Sequence, residues 1–525
     1  MRDFQLPGRS PVFATNGMCA TSHPLAVKVA IELLESGGNA ADAAIAAAVL
    51  LGLCEPHMAG LGGDCFVLLK PAGQEKIVAL NGSGRAPKAA DAEAMRAKGL
   101  TAMPDWGIDT VTMPGAVDAF CRLSDDWGHL GLEASLRPSI RYAEEGVPVG
   151  PRSAFDWAMR TRKLAGAARQ AYLFDGEPPR LGQVFRAPGQ AELLRQVAAN
   201  GRAGFYEGEV ADDLITSLQA AGGVHTLDDL AAVSCDWSDP VSGTYSGIEL
   251  CEHPPNGRGA TAILLLNILS HFNIAALDPY GVERAHLEAE ATKLAYDASN
   301  RFLADPDHTT RLAHMLAPQT AASLAELIDP RRAMAAAAPL TEHVHKDTVY
   351  VTVVDKDRMA VSLIYSIYSA FGSGLCSSKH GVLFQNRGAG FNLIAGHPNE
   401  LGGGKRPAHT IIPGMIREAG KVSTSFGVMG GAYQPCGHAR FVSNRVDFGM
   451  GVQEAIDGPR SFSGPDGMQI ERGYDDAVRA ELVARGHDLR VAEKPLGGAQ
   501  AINITADGLL IGGSDPRKDG LALGY

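Results

Sequence analysis

Several common catalytic signatures are missing from this sequence. It contains no GxSxG nucleophile elbow, no HExxH zinc motif and no Walker A phosphate loop. The serine hydrolases, zinc proteases and nucleoside triphosphatases that those motifs mark are therefore disfavoured. Glycine-rich pieces such as GLGGD and GVMGGAY lack the strand, GxGxxG and helix order of a dinucleotide site. Any chemistry must depend on another arrangement.

Paired cysteines, basic runs and long apolar stretches are also scarce. The eight cysteines form no CxxC pair, which predicts buried free thiols in a reducing compartment. The net charge is -12, so neither nucleic acid nor an anionic membrane is an expected partner. The longest apolar run, Ala43–Cys54, is too short to cross a bilayer, and the N-terminus has no apolar signal segment. We expect a cytoplasmic protein.

Glycine, by contrast, is abundant, and helix signals are clear near the N-terminus. The 61 glycines exceed the roughly 37 that average usage would give. The stretch SHPLAVKVAIELLESGGNAADAAIAAAVLLGLCEPH predicts two successive helices separated by a glycine pair. Asn39 with Asp42 resembles a capping box for the second helix. That helix is apolar on nearly every side, so we expect it to be buried between layers.

The rest of the chain divides into a helical part and a part rich in strands. Residues 101–329 predict helical wrapping with few strands, and residues 330–347 predict an exposed linker with an alanine run and clustered histidines. Beyond it, TVYVTVVD (348–355) and MAVSLIY (359–365) predict a hairpin, and GVLFQN, KVSTSFGVMGG and AINITADGLLIGGSD predict more strand and turn. This order favours an α/β layered fold with the sheet inside.

Two features near the linker are candidates for chemistry. His343 and His345 could chelate a metal as an HxH pair, but no third ligand accompanies them, so neither a metal nor a cofactor is expected. Asp347-Thr348 lies where the linker meets the first predicted strand. Cleavage before such a threonine frees an α-amine that can serve as the base for its hydroxyl. The alternative is a β-branched residue that merely opens a strand, and position alone favours that alternative.

Ten sequence blocks follow one another along nearly the whole chain. They are SHPLA, GGNAADAA, EPHMAGLGGD, PGAVDAF, AEEGVPV, FYEG, DTVYVTVVDKD, SAFGSG, KRPAHTIIP and GVMGGAY. In this order they resemble the γ-glutamyltranspeptidase family of N-terminal nucleophile hydrolases, and together they are far more specific than any one of them. The resemblance implies a four-layer αββα sandwich built from two chains of one self-cleaved precursor, 1–347 and 348–525.

The same resemblance implies the catalytic residues. The precursor would cut itself between Asp347 and Thr348, and the Thr348 hydroxyl would attack the amide of an acyl donor with its own α-amine as the base. The backbone N–H groups of Gly430 and Gly431 match the oxyanion hole of the family. Ser366 keeps the hydroxyl that hydrogen-bonds the nucleophile. Water or an amine would then release the acyl group.

The sequence departs from the family at the positions that bind the donor. Gly390 replaces the acidic residue that holds the α-ammonium of a glutamyl group, a contact worth roughly 1.5 to 3 kcal/mol. His409 and Thr410 replace the serine pair that holds the donor carboxylate. Tyr368 replaces an asparagine, and Val349 replaces the second threonine of the usual Thr-Thr pair. The site has therefore lost its anion.

Cationic side chains have been gained at the same time. Arg387 follows Asn386, where the family has an amide or an acid, and Arg85 lies two positions later than the usual arginine. With His409, these arginines are predicted to form a carboxylate clamp, because guanidinium binds carboxylate with two parallel hydrogen bonds. The resulting hypothesis is an amidohydrolase for an acidic amide without an α-ammonium, such as oxamate or a glutaryl-type compound. The alternative for Arg387 is an ordinary pairing with a surface acid.

Two other functions remain open on the sequence. One is a γ-glutamyltransferase or glutathione hydrolase with an altered donor site, which keeps the chemistry and changes only the donor. The other is an uncleaved, catalytically silent protein that binds a small molecule, an idea motivated by Val349 and the altered donor contacts. The expected partners are the small-molecule amide and the two pieces of the precursor, and a higher oligomer is possible.

Overall fold

A computed structural model of the chain describes residues 5, 8–334, 348–464 and 467–525. Of the predicted linker, only residues 330–334 are described, so His343, His345 and Asp347 lie outside the described residues. Within the described ranges, all eight cysteines are free and buried, as predicted. No helix in these ranges combines the length and apolar character needed to span a bilayer.

The strands are numbered in chain order. They are β1 (Val12–Ala14), β2 (Met18–Thr21), β3 (Asp64–Lys70), β4 (Val78–Gly82), β5 (Val147–Pro148), β6 (Val184–Phe185), β7 (Asp236–Ser238), β8 (Val241–Tyr245), β9 (Ile248–Glu252), β10 (Val349–Val354), β11 (Ala360–Ser366), β12 (Gly414–Glu418), β13 (Lys421–Met429), β14 (Ser461–Gly464), β15 (Gly467–Ile470), β16 (Leu489–Val491), β17 (Gly498–Ile504), β18 (Leu510–Ser514) and β19 (Leu521–Gly524).

The α-helices are numbered in the same way. They are α1 (Pro24–Glu35), α2 (Ala40–Cys54), α3 (Ala92–Ala97), α4 (Ala116–Trp127), α5 (Leu132–Glu145), α6 (Pro151–Ala158), α7 (Ala167–Tyr172), α8 (Pro188–Asn200), α9 (Ala203–Tyr206), α10 (Gly208–Ala220), α11 (Leu227–Ala231), α12 (Gly259–Leu269), α13 (Val282–Phe302), α14 (Leu312–Met315), α15 (Pro318–Ala325), α16 (Gln434–Val446), α17 (Val452–Asp457) and α18 (Asp476–Ala484).

Two antiparallel sheets form the centre of the molecule. The first sheet has the order β1-β18-β17-β13-β12-β9-β8, and the second has the order β19-β2-β10-β11-β3-β4-β7. The two sheets face each other through β10 and β11 of the second and β13 and β17 of the first. Apolar side chains from both, among them Met18, Leu68, Met415 and Ile502, form the core between them.

Helices cover the outer face of each sheet, which completes the predicted αββα sandwich. Helices α1, α2 and α4 pack on the second sheet, whereas α12, α16 and α17 pack on the first. The capping box predicted for α2 is present, with Asn39 and Asp42 each accepting from the other's backbone N–H. Every residue of α2 is buried, as expected of a helix that is apolar on all sides.

The predicted hairpin is also confirmed. Strands β10 and β11 pair antiparallel, with Val349 opposite Tyr365 and Val354 opposite Ala360. Strand β13 matches KVSTSFGVMGG, and β17 and β18 match the C-terminal stretch. GVLFQN, however, forms only isolated bridges at Leu383 and Phe384, because its backbone bonds go to separate neighbouring loops.

The prediction of few strands in residues 101–329 was wrong at one place. Strands β7, β8 and β9 all fall there, and they extend the two central sheets at one edge of each. Their sequences are short, and β8 alternates between half-buried and exposed positions. Such a pattern gives a weak signal, because edge strands bury only part of one face.

Strands from the two sides of residue 347 alternate within both sheets. In the second sheet, β10 and β11 insert between β2 and β3, and β19 pairs with the other edge of β2. In the first sheet, β9 pairs with β12, and β1 pairs with β18. The stretches before and after the predicted cleavage point therefore share one pair of sheets rather than forming separate domains.

Candidate active site

Thr348 directly precedes β10, in the middle of the second sheet, and is only 2% exposed. Its Oγ1 donates to Ser366 Oγ, at the end of the neighbouring strand β11, over 3.4 Å. Gln434 Nε2, in the first turn of α16, donates to the same Thr348 Oγ1 over 3.5 Å. Ser366 Oγ in turn accepts from Tyr368 N at 2.8 Å. The hydroxyl of Thr348 is thus oriented by a strand of the second sheet and by the first turn of α16.

The Gly430-Gly431 turn follows β13 and lies three residues before Gln434, which contacts this hydroxyl. Both glycines have positive φ, 121° and 58°, and a Cβ at Gly430 would come within 2.7 Å of Gly497 Cα. On one flank of the turn, β13 packs against β10 so closely that a Cβ on Gly427 would meet the Tyr350 ring. On the other flank, Gln434 contacts Thr348. Only glycine suits this backbone.

Arg387 carries a fully buried guanidinium with unused hydrogen-bond donors. Its Nη1 donates to Thr410 Oγ1 at 3.1 Å, and its Cζ lies 4.0 Å from the centre of the Tyr368 ring. Nε and Nη2 have no hydrogen-bond partner among the residues that the structure describes. Burial lowers the pKa of Arg387 to about 9, so it is still charged at neutral pH. Two parallel donors of this kind match a carboxylate.

Asp64, at the start of β3, forms an ion pair with the guanidinium of Arg387. Its Oδ2 lies 3.9 Å from Arg387 Nε and 3.0 Å from His409 Nε2. Its Oδ1 accepts from three donors, Gly84 N, Gln385 Nε2 and Gly115 N, at 2.9, 2.8 and 3.3 Å. Burial raises the pKa of Asp64 to about 6, against the opposing effect of Arg387 and these hydrogen bonds. Sequence reasoning missed Asp64, although it ends the GLGGD turn directly before an apolar strand.

A second buried cation lies close to Tyr368. Lys163 Nζ donates to Ser369 Oγ at 2.7 Å, and the same oxygen accepts from Asn386 Nδ2 at 2.8 Å. The Asn386 amide also donates to Asp105 O and accepts from Ser369 N. Asn386 therefore holds two loops together through its side chain. Lys163 gave no sequence signal, because it lies in a three-residue 3₁₀ helix, Thr161–Lys163, that has no recognisable pattern.

The other predicted arginine, Arg85, lies in a different environment. Its side chain is 41% exposed and pairs with Asp305 Oδ2 at 3.4 Å, and it donates to Gly404 O at 3.0 Å. It lines a cavity of about 370 Å³ together with Arg406 and other residues, and neither Thr348 nor Arg387 is part of that lining. The structure thus brings Arg387, His409, Thr410 and Tyr368 together and leaves Arg85 at this separate cavity.

An αββα sandwich of two antiparallel sheets, with a threonine at the head of a central strand, defines the class of N-terminal nucleophile hydrolase folds. The family model described as gamma-glutamyltranspeptidase matches residues 26–525. The chain belongs to the γ-glutamyltranspeptidase family.

Similar proteins extend over almost the entire chain. It is 35% identical to the glutathione hydrolase-like YwrD proenzyme of Bacillus subtilis (strain 168), covering 98% of this chain and 99% of the relative. It is 34% identical to the oxamate amidohydrolase proenzyme of Klebsiella pneumoniae subsp. pneumoniae, with the same coverage. Cephalosporin acylase from Bacillus halodurans superposes with a TM-score of 0.91 at 37% identity, covering 100% of this chain and 99% of that one. The chain is an amide-bond hydrolase of this family.

Proposed function

We propose that the chain is a self-processing N-terminal threonine amidohydrolase whose donor is a small acidic amide, oxamate-like or glutaryl-type. Cleavage between Asp347 and Thr348 would give the pieces 1–347 and 348–525, which remain together as a heterodimer. The observation that carries the proposal is the position of Thr348, buried at the head of a central strand with its hydroxyl held by Ser366 and Gln434. The relatives named as proenzymes support it.

The chemistry follows from the groups around Thr348. Its Oγ1 attacks the amide carbonyl while the hydroxyl proton passes to its free α-amine. The amine returns that proton to the leaving nitrogen, the C–N bond breaks, and the acyl group stays on Oγ1 as an ester. Water then attacks the ester by the reverse proton path and releases the acid. Backbone N–H groups of Gly430 and Gly431 are suited to hold the oxyanion, and such a donor is typically worth about 10² to 10³ in rate.

Charge at the donor site favours an anionic substrate. Arg387 offers Nε and Nη2 in a buried position where a carboxylate gains most from two charge-assisted bonds. Gly390 brings no anion for an α-ammonium, and the oxygens of Asp64 are already engaged by His409 and three N–H donors. The names of two relatives, an oxamate amidohydrolase and a cephalosporin acylase, agree with this preference.

The test is a comparison of two donors on the processed protein. We expect release of ammonia from oxamate, or of amine from a glutaryl amide, to be faster than release of glutamate from glutathione. Thr348→Ala should abolish all of these activities and serves as the blank. Faster turnover of glutathione would overturn the acidic-amide preference, while leaving the threonine mechanism in place.

A second candidate donor is glutathione itself, which the name of the Bacillus subtilis relative favours. The same donor comparison decides between the two. A catalytically silent binding protein is separated by a denaturing gel, on which self-processing gives two bands for the wild type and one for Thr348→Ala. A single wild-type band, with no amidase activity, would favour the silent protein.

A further inference from the structure

A buried cluster of two histidines and one glutamate lies away from Thr348 and takes no part in the proposed chemistry. His286 and Glu290 are four residues apart on α13, so both project from one face of that helix. His487 follows α18 and completes the cluster. All three side chains are buried, and their ligand atoms lie within 4.8 Å of one another. We call this group the His-Glu-His cluster.

Hydrogen bonds fix the proton positions of His286. Its Nε2 lies 2.8 Å from the carbonyl oxygen of Asp329, which can only accept, so Nε2 carries the proton. The lone pair is therefore on Nδ1, which points to His487 Nε2 at 2.8 Å. A carbonyl that fixes the outer N–H of a histidine in this way is the usual support of a metal ligand.

Glu290 supplies the third donor group. Its Oε1 accepts from Lys293 Nζ at 2.7 Å, and its Oε2 accepts from Met334 N at 2.8 Å. An ionised carboxylate has about four lone-pair positions, so lone pairs remain that can face the histidines. The other nearby cation, Arg485, is engaged by Glu283 and Glu481 at 3.1 and 3.3 Å. The carboxylate and the neighbouring acids thus offset the local positive charge.

We propose that the His-Glu-His cluster binds a divalent transition-metal ion of the zinc class through His286 Nδ1, Glu290 and His487 Nε2. Two imidazoles and one carboxylate are a common ligand set for Zn²⁺ and do not suit Ca²⁺ or Mg²⁺. Tetrahedral binding at about 2.0–2.1 Å needs the two ring nitrogens to separate to about 3.3 Å. The His487 ring changes tautomer when Nε2 binds the metal, and its proton is then carried by Nδ1. Both imidazole rings stay neutral, and the cluster loses no proton.

Such an ion would have a structural effect on the chain before the proposed cut. Asp329 and Met334 contact His286 and Glu290, and Lys293 Nζ donates to Met334 O at 3.0 Å. A metal on the cluster would join α13 to the segment after α18 and stiffen the anchorage of residues 329–334. Because the cluster takes no part in the proposed amide hydrolysis, metal binding can be tested without any activity assay.

The experiment measures zinc on the full-length protein by mass spectrometry and isothermal titration. We expect one Zn²⁺ per chain, with a Kd weakened more than about tenfold in His487→Ala and Glu290→Gln. His271→Ala removes an exposed histidine and should leave the Kd unchanged. The double variant His343→Ala/His345→Ala tests the HxH pair, and loss of zinc there instead would overturn the assignment.

The Tm of the wild-type protein, measured with and without Zn²⁺, tests the proposal even if the variants fail to fold. Zn²⁺ at about 100 times its Kd should raise the Tm, because an ion that binds only the native state stabilises it. Mg²⁺ at the same concentration should leave the Tm unchanged. Absence of stoichiometric zinc, or a Tm that Zn²⁺ does not raise, would refute the proposal and leave a hydrogen-bonded histidine pair as the role of the cluster.

Discussion

At the scale of single residues, Arg387 is the group to which the proposed function assigns recognition of the donor charge. We expect Arg387→Met to lower kcat/KM for oxamate roughly 10- to 150-fold, mainly through KM, because a hydrogen bond to a charged group is worth about 1.5–3 kcal/mol. Steady-state kinetics with oxamate and with an uncharged amide of similar size measure the effect. The kcat/KM for the uncharged amide should fall far less. An equal loss of kcat/KM for both donors would contradict the assignment of Arg387 to the donor charge.

A matched variant separates charge from geometry at the same position. Arg387→Lys keeps the positive charge but cannot present the two parallel N–H groups, so we expect it to recover only part of the oxamate binding. Both variants need a Tm measurement alongside the kinetics, since Arg387 also faces the buried carboxyl of Asp64. Full recovery by lysine would show that charge alone is recognised.

Asp64 should make binding of an anionic donor depend on pH. Its pKa is raised from 3.8 to about 6 by burial, so it becomes negative beside Arg387 as the pH rises through 6. We expect KM for oxamate to increase about tenfold across that range, equivalent to one pKa unit. Asp64→Asn should make the KM for oxamate nearly independent of pH. The KM for an uncharged amide should not change with pH even in the wild type. A KM for oxamate that is independent of pH between 5 and 7 would contradict this role.

The same shift has a consequence for stability with a defined sign. Between about pH 4 and 6, the native state holds a proton on Asp64 that the unfolded chain has released. The contribution of Asp64 to the free energy of unfolding therefore falls as the pH rises through this window.

Residue by residue, the sequence was informative where a family motif or a change of charge was visible. Thr348, Ser366 and Arg387 could be picked out in this way, and the structure groups Arg387 with His409 and Thr410. Asp64 and Lys163 could not be found, because their importance comes from burial and from partners distant in the chain. Arg85 was placed with Arg387 on sequence grounds, but its exposure and its pairing with Asp305 depend on tertiary contacts.

At the scale of elements, the close approach of β13 to β10 fixes the end of β13, from which the Gly430-Gly431 turn starts. A Cβ on Gly427 would come within 2.3 Å of the ring of Tyr350, which is fully buried between the sheets. We expect Gly427→Ala to lower the free energy of unfolding by about 1–3 kcal/mol, the usual penalty of overpacking, and to reduce activity by shifting the turn. Chemical denaturation and donor kinetics measure the two effects.

Gly60 provides the control for that substitution. Among the residues that the structure describes, only Ile367 Cγ2, at 3.8 Å, lies within 4 Å of a Cβ built there. Gly60→Ala should therefore change stability by much less than Gly427→Ala. If the two variants were equally stable, the sheets would not be as closely packed at Gly427 as the structure indicates.

Prediction of elements succeeded where the local signal was strong. The α2 helix and the β10–β11 hairpin have long, consistent patterns and clear end signals, and both were found with nearly correct bounds. Strands β7 and β8 were missed because they are short edge strands that are largely exposed or half exposed, and β9 was missed because it has only five residues. Their pairing with β4 and β12 comes from distant parts of the chain, which no local window can show.

At the scale of the whole molecule, the alternation of strands predicts how the two pieces behave after cutting. Strands β10 and β11 lie between β2 and β3, so removing the piece 348–525 would leave five strand edges unpaired: both edges of β2 and one edge each of β3, β1 and β9. We expect the two pieces to elute together on native size exclusion and to separate only in denaturant. Dissociation of a processed sample in native buffer would contradict this arrangement.

The interleaved sheets also set an order of events. Each sheet is complete only when strands from far apart in the chain have met, a topology that folds slowly. A chain cut before that point would leave two partners that must find each other at the low concentrations of a cell. If the chain cuts itself as proposed, productive cleavage must therefore come after folding, and the ratio of cut to uncut protein would report the folded fraction. A gel of a crude extract would then rank the stability variants that keep Thr348 before any of them is purified.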